Sequence, residues 1–269
     1  MISDRLSPLD RGLAYGDGVF ETMRTVNAQI PWWPRHQARL RAGCEALAIP
    51  YPDTAIEDAL ASLTGEGTGV CKLMVTRGIG GRGYLPPATV TPTVLVQQSA
   101  MPVWPAHLLK QGITTGLCRD YLHPEPAAGH KHLNRLPQVL ARAEVARRGW
   151  HEGILLNPRQ QPLEATSMNL FARIDDHWWT PDLQKASAGV NGVLRGWLLD
   201  HWQQSGTPFK VDLRPLSALR RADGVFLGNS VVGIVPVARL GVWRWPIPAS
   251  VLALQAQVNA AFIEGNGLQ

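Results

Sequence analysis

Charge is scarce in this chain of 269 residues: Asp, Glu, Lys and Arg make up only 17% of it, and no run of like charge appears. Long apolar runs are missing as well. No window approaches the roughly 18 apolar residues that a membrane helix requires, and Met1-Ile2-Ser3-Asp4-Arg5 lacks an apolar signal core. Cysteine is limited to Cys44, Cys71 and Cys118, an odd number, far apart and without a CxxC pair. Such thiols fit a reducing cytoplasm better than disulfides or a zinc site, so no metal is expected. Internal repeats and low-complexity segments are absent too. These absences describe a soluble cytoplasmic chain without a membrane partner.

What is present is an ordinary globular content, 45% hydrophobic, at a length between one large domain and two ordinary ones. The net charge is +5, with small clusters at Arg35/Arg39/Arg41 and Arg142/Arg147/Arg148. A basic balance suits either nucleic acid or a pocket for small anions. No nucleic-acid module is recognisable, and the ten tryptophans do not alternate with basic residues. We therefore read the balance as suiting a small anionic ligand and expect no nucleic-acid partner.

Residues 18–31 read as a hairpin, Val19 to Val26 leading into the turn Asn27-Ala28-Gln29. Pro34 opens a helix with the apolar stripe Leu40, Cys44 and Leu47, and a second helix carries Ile56, Leu60 and Leu63. Strand-like runs at 70–77 and 92–100 flank the loop Gly78-Ile79-Gly80-Gly81-Arg82-Gly83-Tyr84. Two prolines in Met101-Pro102-Val103-Trp104-Pro105 mark a linker. Beyond it come a strand at 113–119, a Pro/Gly-rich loop into Lys131, and a helix with Pro137 in its first turn that ends at Gly149. Paired strands follow at 153–157 and 163–172. Gly189-Val190-Asn191-Gly192 leads into a helix carrying Leu194, Leu198 and Trp202. Strands near Val211 and 225–227 and a helix through Val251, Leu254 and Phe262 complete the chain.

Several of these pieces can do chemistry. A lysine flanked by cationic groups loses its proton more easily and can form a Schiff base; Lys131 has His130, His132 and Arg135 around it. A lysine beside a helix start is more often a solvated surface residue, and the residues alone leave both readings open. The glycine turn at 189–192 is either an anion site at a helix N-terminus or an ordinary loop. Arg35 and Arg39 form either a phosphate-binding face or a solvated one. Glu164 is either a strand-edge acid or a partner for a protonated ring nitrogen. The loop with Arg82 and Tyr84 is either a mobile arm suited to a substrate carboxylate or a flexible surface loop, and Asn229-Ser230 is either a second polar pocket after a strand or a simple turn.

The order of these features along the chain resembles the fold-type IV pyridoxal phosphate enzymes, which include branched-chain aminotransferases, D-amino acid aminotransferases and 4-amino-4-deoxychorismate lyases. The likeness runs from Asp10-Arg11-Gly12-Leu13-Ala14-Tyr15-Gly16-Asp17-Gly18-Val19-Phe20-Glu21 to Ile234-Val235-Pro236-Val237. Thr76 to Tyr84, Lys131 to Leu136 and Gly189 to Arg195 resemble the lyases most. The resemblance implies an α+β fold of two domains, a small N-terminal α/β sandwich (1–103) and a larger C-terminal pseudo-barrel (107–269) carrying the lysine. It implies pyridoxal 5'-phosphate as cofactor, a dicarboxylate substrate and a homodimer. It further implies that Lys131 holds the cofactor and shuttles a proton, and that Glu164 pairs with the ring nitrogen. Arg39, the Val193 and Leu194 amides and Ser230 would bind the phosphate, with Arg82 and Tyr84 on the substrate. Glu21 departs from those lyases that have threonine there and follows the transaminase pattern. The reaction implied is cleavage of 4-amino-4-deoxychorismate to 4-aminobenzoate and pyruvate; the alternative is amino transfer on branched-chain or D-amino acids. A basic binding protein without catalysis is a third reading.

Overall fold

Three antiparallel strands and three helices form the first part of the computed structural model, which describes residues 6–264. Met1–Arg5, on which the absence of a signal core was read, lie outside the described residues. Helix α1 (Arg11–Tyr15) is capped by Asp10, whose side chain accepts from the Gly12 amide, and ends at Gly16 with φ +66°. Strand β1 (Gly18–Val26) follows, then helices α2 (Trp33–Ala46) and α3 (Asp53–Ala61), and strands β2 (Thr68–Thr76) and β3 (Thr93–Ala100). The sheet order is β1-β2-β3, with Gly18 opposite Thr76 and Val26 opposite Thr68.

Alternation along β1 sends Val19, Glu21, Met23 and Thr25 inward, as a half-covered strand requires. Val19 and Met23 join Leu40 and Cys44 of α2, Ile56 and Ala59 of α3, and Leu73 and Val75 of β2 in one core. The expected hairpin at 18–31 is reduced to a single bridge between Val26 and Gln29. Asn27 and Ala28 take φ +49° and +60°, and the chain then enters α2. The true partner of β1 is β2, two helices later, because only that pairing buries the inward face of the strand.

By packing, the chain divides into two compact units. The first runs to Met101 and takes in His130–Arg135 and the end of the last helix from Phe262; the second holds Pro102–Gly129 and Leu136–Ala261. The break at Met101/Pro102 falls in the proline-rich segment. Lys131 thus packs with the first unit, although the sequence reading counted it among residues 107–269.

The second unit contains α4 (Ala106–Gln111), β4 (Ile113–Tyr121), α5 (Leu136–Arg148), β5 (Glu152–Leu156), β6 (Pro162–Ala165), β7 (Asn169–Ile174) and β8 (His177–Pro181). Next come α6 (Leu183–Ala186), α7 (Val193–Gln204), β9 (Phe209–Asp212), β10 (Gly224–Asn229), β11 (Gly233–Leu240), β12 (Trp243–Arg244) and α8 (Ala249–Glu264). Its nine strands run in the order β10-β11-β4-β5-β6-β7-β8-β9, with β12 on β11. A further pairing of β10 with β7 joins six of them into a closed ring. Closure removes the exposed edges that an open sheet would present, and it is the barrel the sequence led us to expect.

The segment 163–172, read as one strand, is two. Buried Glu152 explains the break: it accepts from the hydroxyls of Thr166 and Ser167 and from the Thr166 amide. Those bonds turn the chain between β6 and β7. Four of the ten tryptophans find their reason here. Trp178 stacks on Trp202 at 5.6 Å, Trp179 donates to Asp212, and Trp245 donates to the Leu219 carbonyl. Each buries a large ring and, where it can, satisfies its one polar atom.

Candidate active site

Lys131 is positioned by β1. The Phe20 amide donates to the Lys131 carbonyl at 2.9 Å, the Leu133 amide donates to the Gly18 carbonyl at 2.9 Å, and His132 bridges Val19. Gly18 permits this approach, since a Cβ there would lie 2.8 Å from Leu133 Cδ1. Arg135 folds back to donate to the His132 and His130 carbonyls at 2.9 and 2.8 Å. It therefore braces the loop around the lysine. The half-buried Lys131 places Nζ 4.4 Å from the centre of the Phe20 ring.

Beside the same strand lies a buried ionic cluster that the sequence reading did not assemble. Glu21, fully buried, accepts from Arg39 Nε (2.7 Å) and Nη2 (2.5 Å), and from His36 Nδ1 (2.6 Å). Burial works to raise the Glu21 carboxyl, but the charges and hydrogen bonds of Arg39 and His36 outweigh it and bring it down to about 2. Burial holds His36 below its ordinary value; Glu21 opposes this, while Arg39 and the charge of Lys131 add to it. His36 donates its Nδ1–H to an anionic Glu21. The transaminase-type residue at position 21 thus serves to hold Arg39, and an anion cannot donate a proton to a leaving group.

In the second unit, Glu164 on β6 is buried and accepts from the Val190 amide at 2.8 Å. Gly189 has φ +88°, and a Cβ on it would come 3.1 Å from Glu164 Oε2. The positive φ favours glycine there, and the nearby carboxylate leaves a side chain little room. Asn169 on β7 donates to the Val190 carbonyl at 2.9 Å, and Gly129 bonds to Gly189 and Asn191 through its amide and carbonyl. The loop before α7 is thereby stitched down on two sides. At its end Gly192 caps α7 without a side-chain hydrogen bond, whereas α1 and α6 each have an aspartate at that position. The first amides of a helix have no intrahelical acceptor and attract an anion. Those amides belong here to Val193 and Leu194, both buried. Ser230 is buried in the turn between β10 and β11, and a Cβ on neighbouring Gly228 would meet Leu194 at 2.9 Å. The structure therefore brings Glu164, Val193, Leu194 and Ser230 into one region of the second unit. In the first it places Lys131 in the loop bonded to β1 and Arg39 on α2, with Arg82 and Tyr84 on an exposed loop of that unit.

Within the second unit, the buried carboxylate of Glu164 suits a basic ring nitrogen and the N-terminus of α7 suits a phosphate; within the first, Lys131 supplies a primary amine. Sequence reasoning missed Asn169, His36 and the structural part played by Glu21. The one available signal for Asn169 was an amide in the strand run Ala165 to Phe171.

A family model described as Amino-transferase class IV matches residues 18–240. The chain belongs to the class IV aminotransferase family. Among curated relatives, an aminodeoxychorismate lyase of Vibrio harveyi is 36% identical over 261 residues, covering 93% of this chain and 94% of the relative. Among solved structures, a 4-amino-4-deoxychorismate lyase from Pseudomonas aeruginosa is 41% identical with TM-score 0.90, covering 96% of each chain. A branched-chain amino acid aminotransferase of Escherichia coli shares the fold at TM-score 0.86 and 22% identity, covering 96% of this chain and 90% of its own. The fold is thus the class IV, fold-type IV fold with its two-part layout and closed sheet.

Proposed function

We propose that this class IV chain is a lyase that converts 4-amino-4-deoxychorismate into 4-aminobenzoate and pyruvate, on the way to folate. The observation that carries this reading is the identity of 36% and 41% to two proteins named for that activity, over at least 93% of the chain. The residues fit pyridoxal 5'-phosphate. Gly189 and Gly192 leave room where a Cβ would strike Glu164 and Asn169, and α7 begins without a side-chain cap. When bound, that cofactor supplies an electron sink next to the substrate amine.

The chain's own residues do the rest. Lys131 Nζ would hold the cofactor and, as the free amine, would remove the proton from the ring carbon bearing the substrate nitrogen. Glu164 keeps the cofactor ring nitrogen protonated. Arg39, steered by Glu21, supplies positive charge for the phosphate, together with the Val193 and Leu194 amides and Ser230. Arg82 and Tyr84 take the two substrate carboxylates. Loss of the enolpyruvyl ether makes the ring aromatic, so the protein mainly orients groups and moves protons.

The enzyme works as a homodimer in the cytoplasm. Exposed Leu136, Val139 and Leu140 on one face of α5 support association. Three buried free thiols, pushed by burial to about 11 (Cys44) and about 12 (Cys71 and Cys118), suit a reducing compartment.

Amino transfer by the same fold is the second reading, favoured by Glu21. The test is incubation of the purified holoenzyme with aminodeoxychorismate and no keto-acid acceptor. Equal amounts of pyruvate and 4-aminobenzoate are expected. Products formed only with 2-oxoglutarate present, by amino transfer, decide for the second reading.

A further inference from the structure

We propose that Arg11 is a positioning residue for substrate: its buried guanidinium holds the loop bearing Arg82 and Tyr84 in the pose that binds. The proposal rests on the reading of those two side chains as carboxylate-binding groups.

The loop Gly80-Gly81-Arg82-Gly83 has three glycines in four residues, and such a segment loses more entropy on ordering than any other. Something must hold it if Arg82 and Tyr84 are to meet a ligand in one geometry. Arg11, only 4% exposed, donates from Nη1 to the Gly83 carbonyl at 3.1 Å and from Nη2 to the Tyr84 carbonyl at 2.7 Å. Its stem lies against Gly80, where a Cβ would fall 2.5 Å from Arg11 Cδ. The guanidinium carbon lies 4.9 Å from the centre of the Tyr15 ring, and that ring meets Tyr84 edge-on at 5.4 Å. Tyr84 is nonetheless 85% exposed. The root of the loop is fixed and its side chains are left to solvent, as a ligand-binding arm requires.

The anchor itself is well fixed. Arg11 Nε donates to Asp17 Oδ2 at 2.8 Å, and Arg77 donates to both oxygens of the same carboxylate at 2.7 and 3.0 Å. Burial works to raise the Asp17 carboxyl, but the two arginines outweigh it and keep it ionised. Arg77 also donates to the Leu47 and Ala48 carbonyls at 2.6 and 2.8 Å. The clamp is therefore tied to the end of α2, the helix that carries Arg39. Asp10, which caps α1, accepts from Thr76 and Thr93 and fixes Arg11's own helix to β2 and β3. A lysine cannot replace the fork, because its single ammonium does not span Asp17 and two separate carbonyls.

The test uses the holoenzyme and Arg11→Lys, which keeps the charge facing Asp17; Arg11→Gln is the second variant. Trypsin cleavage after Arg82 reports loop opening without substrate, and steady-state kinetics with aminodeoxychorismate reports binding. If the loop spends about a tenth of its time in the binding pose, KM rises about tenfold. We expect that rise, a similar gain in cleavage after Arg82, kcat within about threefold, and an unchanged cofactor absorption band. An unchanged cleavage rate overturns the clamp. Faster cleavage with unchanged KM overturns the link from loop to substrate. A parent enzyme without lyase activity removes the functional reading alone, and the cleavage measurement still decides whether Arg11 holds the loop.

Discussion

At position 21 burial and charge act against each other, and the outcome sets a property that pH can measure. A carboxyl lowered from 4.5 to about 2 on folding corresponds to about 3 kcal/mol. Between those two values the unfolded chain binds more protons than the folded one. The stability is therefore complete above about 4.5 and is lost as the pH falls toward about 2. His36, held below 6.5 by burial, acts in the same direction: its contribution is present above 6.5 and is lost as acid forces a charge into the core. Urea unfolding from pH 7 to pH 2.5 is expected to show stability falling across this range, with a shallower fall between 4.5 and 2.5 in Glu21→Gln. That variant should also be weaker at pH 7, because it removes the counter-charge of Arg39. Equal slopes in the two proteins would contradict the assignment.

Among the elements, α7 shows most clearly how local geometry prepares chemistry. Gly192 has an ordinary φ of −65°, so it is present for room: a Cβ would fall 1.9 Å from Asn169 Oδ1. Gly192→Ala must displace Asn169 and break its bond to Val190. Cofactor affinity, read by titration of the absorption band, should fall about tenfold, the cost of about one hydrogen bond; unchanged affinity would show that the turn plays no part in the phosphate cup. The sequence made α2, α3, α5 and α7 legible, because each has apolar residues at helical spacing and a proline or glycine at an end. It also made the loop before α7 legible through its glycines. Strand β8 was not, since Trp178 and Trp179 are both buried and leave no alternation. Strand β11 carries Pro236 opposite Phe226, and a central proline argues against a strand when only local pattern is read. The bond between Arg39 and Glu21 was hidden for another reason: it exists only because α2 packs on β1. Motif order located the arginine, while its partner required the tertiary structure.

For the whole molecule, the closed sheet of the second unit is both support and core. Trp202, 1% exposed and stacked on Trp178, also meets Phe171 edge-on. Trp202→Ala should therefore cost about 3–5 kcal/mol in denaturant unfolding, whereas a loss near zero would mean the aromatic stack is not structural. No helix among the described residues is long and apolar enough to cross a membrane. Every role proposed for the fold depends on one amine, held at its place by the hydrogen bonds of Phe20 and Leu133. Reducing the purified holoenzyme with borohydride and mapping its peptides tests that most directly. The expected result is a single pyridoxyl group on Lys131; a label on any other lysine, or no label at all, contradicts the account.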